Sequence, residues 1–244
     1  MTPLTTSARK TLVRLSATAS LAAAALTATA DGAIGAGDTR RGADIDPARF
    51  GRPIDNPWYP LRPGTRFVFR GVSGGRQTRD VVTVTRRTKM ILGVRTVVVT
   101  DDVYAAGRLA ERTSDWFTQD ARGAVWYFGE ASVELDSSGH VKTTEGSWEA
   151  GVNGAQPGIV MPAHPRVGQS FRQEYYAGHA EDHFAIESLS ASVTTPYLSS
   201  RRAMRTREWS PLDPGVSERK YYVRSVGLVA DVADGSVLVS VQKR

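Results

Sequence analysis

Two histidines four residues apart, His179 and His183, enclose Glu181 and Asp182, and all four are residue types that ligate metal ions. On a helix the two imidazoles share a face, but on a strand they stand roughly 13 Å apart, too far for one ion without a bend. His140 and His164 fall in loops, so a hydrated surface patch is the favoured reading of this segment. Acids beside aromatic rings form a second constellation: Glu130, Glu149, Glu174, Glu181, Asp182, Glu208 and Glu218 are placed as paired carboxylates would be in a sugar site. In Trp148-Glu149 and Glu208-Trp209, ring and acid point to opposite faces of a strand, which argues against each pair forming one subsite. No Gly-x-Ser-x-Gly sits on a strand-to-helix elbow, and there is no cysteine nucleophile. The reading leans away from an enzyme and includes no cofactor and no metal.

The segments that must position these residues begin after a basic, Ala- and Thr-rich leader. Arg9, Lys10 and Arg14 precede an apolar run that ends in Ala28-Thr29-Ala30, the pattern of a cleaved signal peptide over residues 1–30. The run is short and weakly apolar for a spanning helix, which needs roughly 20 strongly apolar residues. The expectation is an extracytoplasmic, secreted protein without a stable membrane anchor after cleavage. Loss of the three leader cations lowers the formal charge from +6 to +3. With no long Lys/Arg block, the remaining charge reads as a mixed, solvated surface, and nucleic acid is not an expected partner.

Residues 31–55 carry few large apolar side chains and read as a flexible lead-in, followed by one β-rich domain over 56–244. The segment Asn56-Pro57-Trp58-Tyr59-Pro60-Leu61-Arg62-Pro63-Gly64 is held extended by three prolines and pinned by Trp58, Tyr59 and Leu61. Beyond Gly64, apolar residues alternate with period two in runs rich in Val, Thr and aromatics. Asp120-Ala121-Arg122-Gly123 and Leu212-Asp213-Pro214-Gly215 have turn chemistry, and Asp234-Gly235 is a two-residue hairpin signal. The apolar parity changes near Glu187-Ser188, which predicts a β-bulge or a break. The fold expected is all-β and mainly antiparallel: a strongly curved, half-open barrel of about ten strands, with a two-sheet β-sandwich as the alternative.

The doublets Trp126-Tyr127, Tyr175-Tyr176 and Tyr221-Tyr222 put a large ring on each side of the sheet, so both faces must be partly covered. One reading makes these rings ordinary core and surface residues. In the other, Trp116, Trp126, Phe128, Trp148, Tyr175 and Trp209 line an apolar groove, with Met161 reaching it from an irregular loop over 151–168 that acts as a plug or a lid.

The stretches 56–65 and Lys220-Tyr221-Tyr222-Val223-Arg224-Ser225-Val226-Gly227-Leu228-Val229, with Asp115-Trp116-Phe117 and Val125–Glu130, resemble uncharacterised secreted proteins of actinobacteria. More distantly, the terminal hairpin is similar to one in extracytoplasmic proteins with the half-barrel of the lipoprotein carriers. Arg224-Ser225 stands where a Pro-Gly turn is expected there. The distant resemblance implies a curved antiparallel sheet around a hydrophobic interior that takes acyl chains. The functional expectation is a non-enzymatic binder of an apolar small molecule or acyl chain, and the alternative is an envelope-associated carbohydrate-binding or protein-interaction module.

Overall fold

The computed structural model describes residues 45–233 and 235–243. The expected leader and the first part of the lead-in lie outside the described residues. A short 3-10 turn, η1 (Pro47–Arg49), precedes sixteen strands: β1 (Phe50–Arg52), β2 (Thr65–Ser73), β3 (Arg76–Ile91), β4 (Val94–Ala105), β5 (Arg108–Asp120), β6 (Val125–Leu135), β7 (Val141–Thr143), β8 (Trp148–Glu149), β9 (Gln156–Met161), β10 (Ser170–Arg172), β11 (Glu174–Tyr175), β12 (His183–Thr194), β13 (Ser199–Trp209), β14 (Glu218–Val223), β15 (Gly227–Asp231) and β16 (Ser236–Lys243). All strand pairs are antiparallel. The sheet runs β10-β12-β13-β14-β15-β16-β2-β3-β4-β5-β6-β9-β11, with β1, β7 and β8 attached outside this path. The class is all-β, as expected, but the strand count exceeds the ten read from the sequence.

Leu92 and Gly93 adopt φ values of 50° and 74° and turn the chain between β3 and β4. The extra strands have local causes. The stretch 151–168, read as irregular, contains β9, which pairs with β6 on one side and β11 on the other. Residues 45–55, assigned to the lead-in, contribute η1 and β1. Phe50 of β1 packs edge-on against Trp126 and Phe128, at 5.8 and 5.6 Å between ring centroids, and covers the outer face of β6.

The first and last strands of the sheet path, β10 and β11, are separated in sequence only by Gln173. This one segment pairs with β12 at Phe171↔Phe184 and with β9 at Glu174↔Pro157, so it carries the sheet back toward its own beginning and leaves the barrel nearly closed. Gly158 of β9 makes the approach possible. A Cβ there would fall on the backbone carbonyl oxygens of Arg172 and Gln173, well inside van der Waals distance.

Strand parity sorts side chains to two sides. Cross-strand partners share a face, so Phe67, Val82, Asp101, Thr113 and Ser132 make one row across β2 to β6, and Leu238, Phe69, Asp80, Val103 and Glu111 make the next. All residues of both rows are under 9% exposed. This is the inside of the barrel. The expected bulge is present, with a register shift between Ile186 and Ser188 of β12. The expected turn at 120–123 closes β5 onto β6, where the Gly123 amide donates to the Asp120 carbonyl at 3.0 Å. The strap 56–64 seals one end: Tyr59 packs against Phe117 and Tyr222, and the Ser225 amide donates to the Pro57 carbonyl at 2.6 Å.

Closure through Gly158 is testable. Gly158→Ala is expected to destabilise the protein by about 2–4 kcal/mol, since carbonyl backbone cannot move aside as a flexible side chain would. Denaturant unfolding checks this, and an unchanged midpoint would mean that the β9–β11 edge is not a structural seam.

Candidate functional site

The acids are sorted inward. Asp80 (β3), Asp101 (β4), Glu111 and Asp115 (β5), Asp120 (end of β5), Glu130 (β6), Glu174 (β11), Asp182 (before β12), Glu208 (β13) and Asp231 (β15) are all buried, whereas Lys220 of β14 is the one buried Lys or Arg among the described residues. Each has a structural reason to be where it is. Asp80, Val82 and Val84 alternate on β3, and Glu111, Thr113, Asp115 and Phe117 share a parity within β5, so the acids ride on the same face as the core.

Inside, several of the carboxyls meet nearby donors. Lys220 Nζ lies 2.8 Å from Glu208 Oε2 and 3.9 Å from Asp231 Oδ2, and the Tyr222 hydroxyl donates to Glu208 at 3.4 Å. Burial opposes the charged form of Lys220, but Glu208 and Asp231 outweigh it and hold the ammonium protonated well above the ordinary lysine range. Burial, reinforced by Glu208, pushes the Tyr222 phenol up as well. The Tyr127 hydroxyl donates to Asp115 at 2.7 Å, Thr113 and Ser132 both donate to Glu111, and Trp148 Nε1 donates to Glu174 at 2.8 Å.

Two acid pairs share hydrogen bonds directly. Burial pushes the Asp80 carboxyl up to about 6 against the pull of its hydrogen bond from Asp101, and burial with the Asp80 charge pushes Asp101 well above the usual carboxylate range. In the second pair burial lifts Asp182 to about 7, while burial and then the Asp182 and Glu130 charges lift Glu174. Two like charges in contact away from water cannot both ionise, so each pair keeps a proton near neutral pH.

The seven residues read as a possible apolar groove do not converge on one cavity. Trp148 lies inside, edge-on to Tyr127 at 5.4 Å between centroids. Phe128 and Trp126 face outward beneath Phe50. Trp116 is covered by Lys89, whose ammonium sits 3.4 Å from the ring centroid while bonding Glu149 at 2.7 Å. Met161 is fully buried in β9. Tyr175 and Trp209 are half-buried on the outer surface. A small apolar cavity of about 30 Å³ lies elsewhere, under the strap, between Tyr59, Leu61, Phe67, Phe69, Phe117 and Leu228.

The histidine constellation is dispersed too. His179 stacks on Tyr176 at 4.3 Å, His183 stacks on Trp209 at 5.6 Å, Glu181 accepts from the Gly178 amide at 2.8 Å, and Asp182 turns inward to Glu174. Of the acids read as a sugar site, Glu130, Glu174, Asp182 and Glu208 are inside the barrel, while Glu149, Glu181 and Glu218 are at its surface.

Because the acids are inside, the cations are outside. Among the described residues, 25 Lys and Arg less the one buried leave 24 within reach of solvent, and 21 Asp and Glu less the ten buried leave 11. Several outward arginines lie on rings: Arg207 is 4.5 Å from the Trp209 centroid, Arg172 is 4.3 Å from Tyr175, Arg79 is 4.7 Å from Tyr104 and Arg224 is 5.4 Å from Trp58. The functional feature that sequence reasoning missed is this outer cationic surface, and its signal was the shared parity of acids and core residues within each strand. Comparison of the chain with protein-family models, with curated proteins and with solved structures gives no match in any of the three.

The carboxyl pairs set a pH dependence with a definite sign. Their folded pKa values are raised above the unfolded value of 3.8, so the folded state holds extra protons; the associated stability is full below that value and is lost as pH rises through about 6 to 7. The unfolding free energy is expected to fall between pH 5 and pH 8, by roughly 1–2 kcal/mol from Asp80 of the Asp80–Asp101 pair. Asp101→Asn should flatten this slope and raise stability at pH 8; a variant as pH-dependent as the parent would show that the pair is not the cause.

Proposed function

We propose that the protein is a non-enzymatic, exported binding protein that recognises an anionic component of the cell envelope with its outer surface. The observation that carries this reading is the unequal burial of charge: ten acids and one lysine are buried, and 24 cations against 11 acids remain within reach of solvent. The +3 left after loss of the leader is a sum over both buried and solvated charges; a partner in contact meets the outer cations at closer range than the interior carboxyls. Support for export comes from the leader pattern at 1–30 and from the resemblance to secreted proteins.

The alternative, an acyl-chain or small-molecule carrier, is favoured by one feature, the apolar cavity under the strap. Its volume of about 30 Å³ compares with roughly 300 Å³ or more in small-molecule sites. A carrier would have to lift Tyr59 and Leu61 out of the barrel end to make room, breaking the ring contacts with Phe117 and Tyr222.

Sedimentation with purified envelope from an actinobacterial host separates the readings. The mature protein is expected to be retained at low salt and released by about 0.5 M salt, where charges more than a few ångströms apart are screened. No retention, or retention insensitive to salt, would overturn the proposal. Native mass spectrometry of protein purified from culture medium is expected to give the bare chain mass; a stoichiometric apolar adduct would favour the carrier.

A further inference from the structure

On the outside of β10, β12 and β13, direct strand partners align Arg172, His183 and Trp209 in one row, and Arg207 follows two residues along β13 on the same face. The row is organised by stacking. The His183 and Trp209 rings are nearly parallel, at 15°, and the Arg207 guanidinium lies over the indole. Arg172 rests on Tyr175 and donates through Nη2 to Gln156 at 2.8 Å, which holds its guanidinium in place.

With ring surfaces occupied by stacking, the edges left for a ligand are nitrogen donors: the guanidinium N–H groups, the indole Nε1–H and the imidazole. Neither the Arg207 guanidinium nor the Trp209 indole N–H has a hydrogen-bond partner among the described residues. Of the acids nearby, Glu187 is held by Arg205 at 2.9 Å and Arg219 at 3.0 Å, while Glu181 accepts from the Gly178 amide and also acts electrostatically on Arg172 and His183. Ala185, opposite Arg207 and between His183 and Glu187 along β12, leaves the floor of the row low.

We propose that this row is a binding site for the phosphate groups of a phosphodiester-linked polyol polymer of the envelope. The site rests on the function proposed above and gives it a location and a ligand class. Guanidinium forks match phosphate oxygens two at a time. Arg172 and Arg207 are two strand spacings apart and offset by two residues along the strand, about 12 Å between backbone positions, which one phosphate cannot bridge but successive phosphates on a chain can. A nucleic acid would ask for open ring faces on which to stack bases, and the rings here are engaged with one another. A lipid surface would ask for apolar side chains able to enter it, and those of the row are covered by guanidinium groups.

The test uses the mature protein and synthetic poly(glycerol phosphate), with affinity measured by calorimetry at low ionic strength. The double variant Arg172→Gln/Arg207→Gln is expected to bind at least ten-fold more weakly. A control pair on the outer face of β2, Arg66→Gln/Arg70→Gln, removes the same charge and is expected to stay within two-fold of the parent. Trp209→Phe keeps a stacked ring but loses the indole donor, and is expected to show an intermediate loss. Unfolding midpoints matched to the parent confirm that each variant is folded; if the double variant is not, Arg207→Gln alone is read by the same criterion with a three-fold threshold. Equal losses in the two double variants would overturn the site while leaving the cationic-surface reading intact. Absence of polymer binding by the parent, with retention on purified envelope, would overturn the ligand class alone, as would binding only to phosphatidylglycerol vesicles. No binding to either polymer or envelope would overturn both proposals.

Discussion

The structure depends on the closure of the sheet at residues 170–175. There a single extended segment pairs with β12 on one flank and β9 on the other, and the absence of a side chain at Gly158 lets its backbone come close enough to do so. An open antiparallel sheet can leave one face to water. Once this sheet curls back on itself, one face becomes an interior, and every second residue on each long strand is committed to it. Closure also removes most of the exposed strand edge that would otherwise template pairing with another chain.

What fills the interior is unusual for a β-barrel. Phe67, Phe69, Val82, Val99, Phe117 and Tyr59 make an apolar portion, and beside it lies a belt of carboxyls with Lys220 as its single buried ammonium. A charge moved from water to a protein interior costs several kcal/mol unless it is paired. The belt avoids most of that cost in three ways: Glu208 and Asp231 share an ammonium, Asp115 and Glu174 accept from aromatic donors, and two pairs of acids hold protons between them. Protonation is therefore part of the fold of this protein.

The same sorting sets the outer surface. Arginine, with its planar and weakly hydrated fork, rests on Tyr104, Tyr175, Trp58 and Trp209 rather than pairing with surface acids, many of which have gone inside. Interior carboxyls and exterior guanidiniums are thus two consequences of one alternation, and the barrel wall separates them. The aromatic doublets fit this scheme. Tyr127 and Tyr222 point in and take part in the polar network, while Trp126 and Tyr221 point out and are covered by Phe50 and neighbouring strands.

By itself the sequence determined the all-β class, the strap pinned by Trp58, Tyr59 and Leu61, the turn at 120–123 and the bulge after Ile186, because each follows from interactions within a few residues: proline geometry, turn chemistry and period-two alternation. The turn at Leu92-Gly93 was hidden inside an apolar run, and β9 was hidden by Pro157 and Gly158, where alternation is too short to read. The parity of Asp80 with Val82, and of Asp115 with Phe117, was also legible, and it placed these acids on the core side. Only the tertiary structure decided that both faces of the sheet are not equivalent, that Trp116, Trp148 and Trp209 belong to three different environments, and that Arg172, His183, Trp209 and Arg207 form one row. Those outcomes depend on pairing between segments far apart in sequence and on closure of the sheet, and no local pattern encodes which distant strand a given strand will meet.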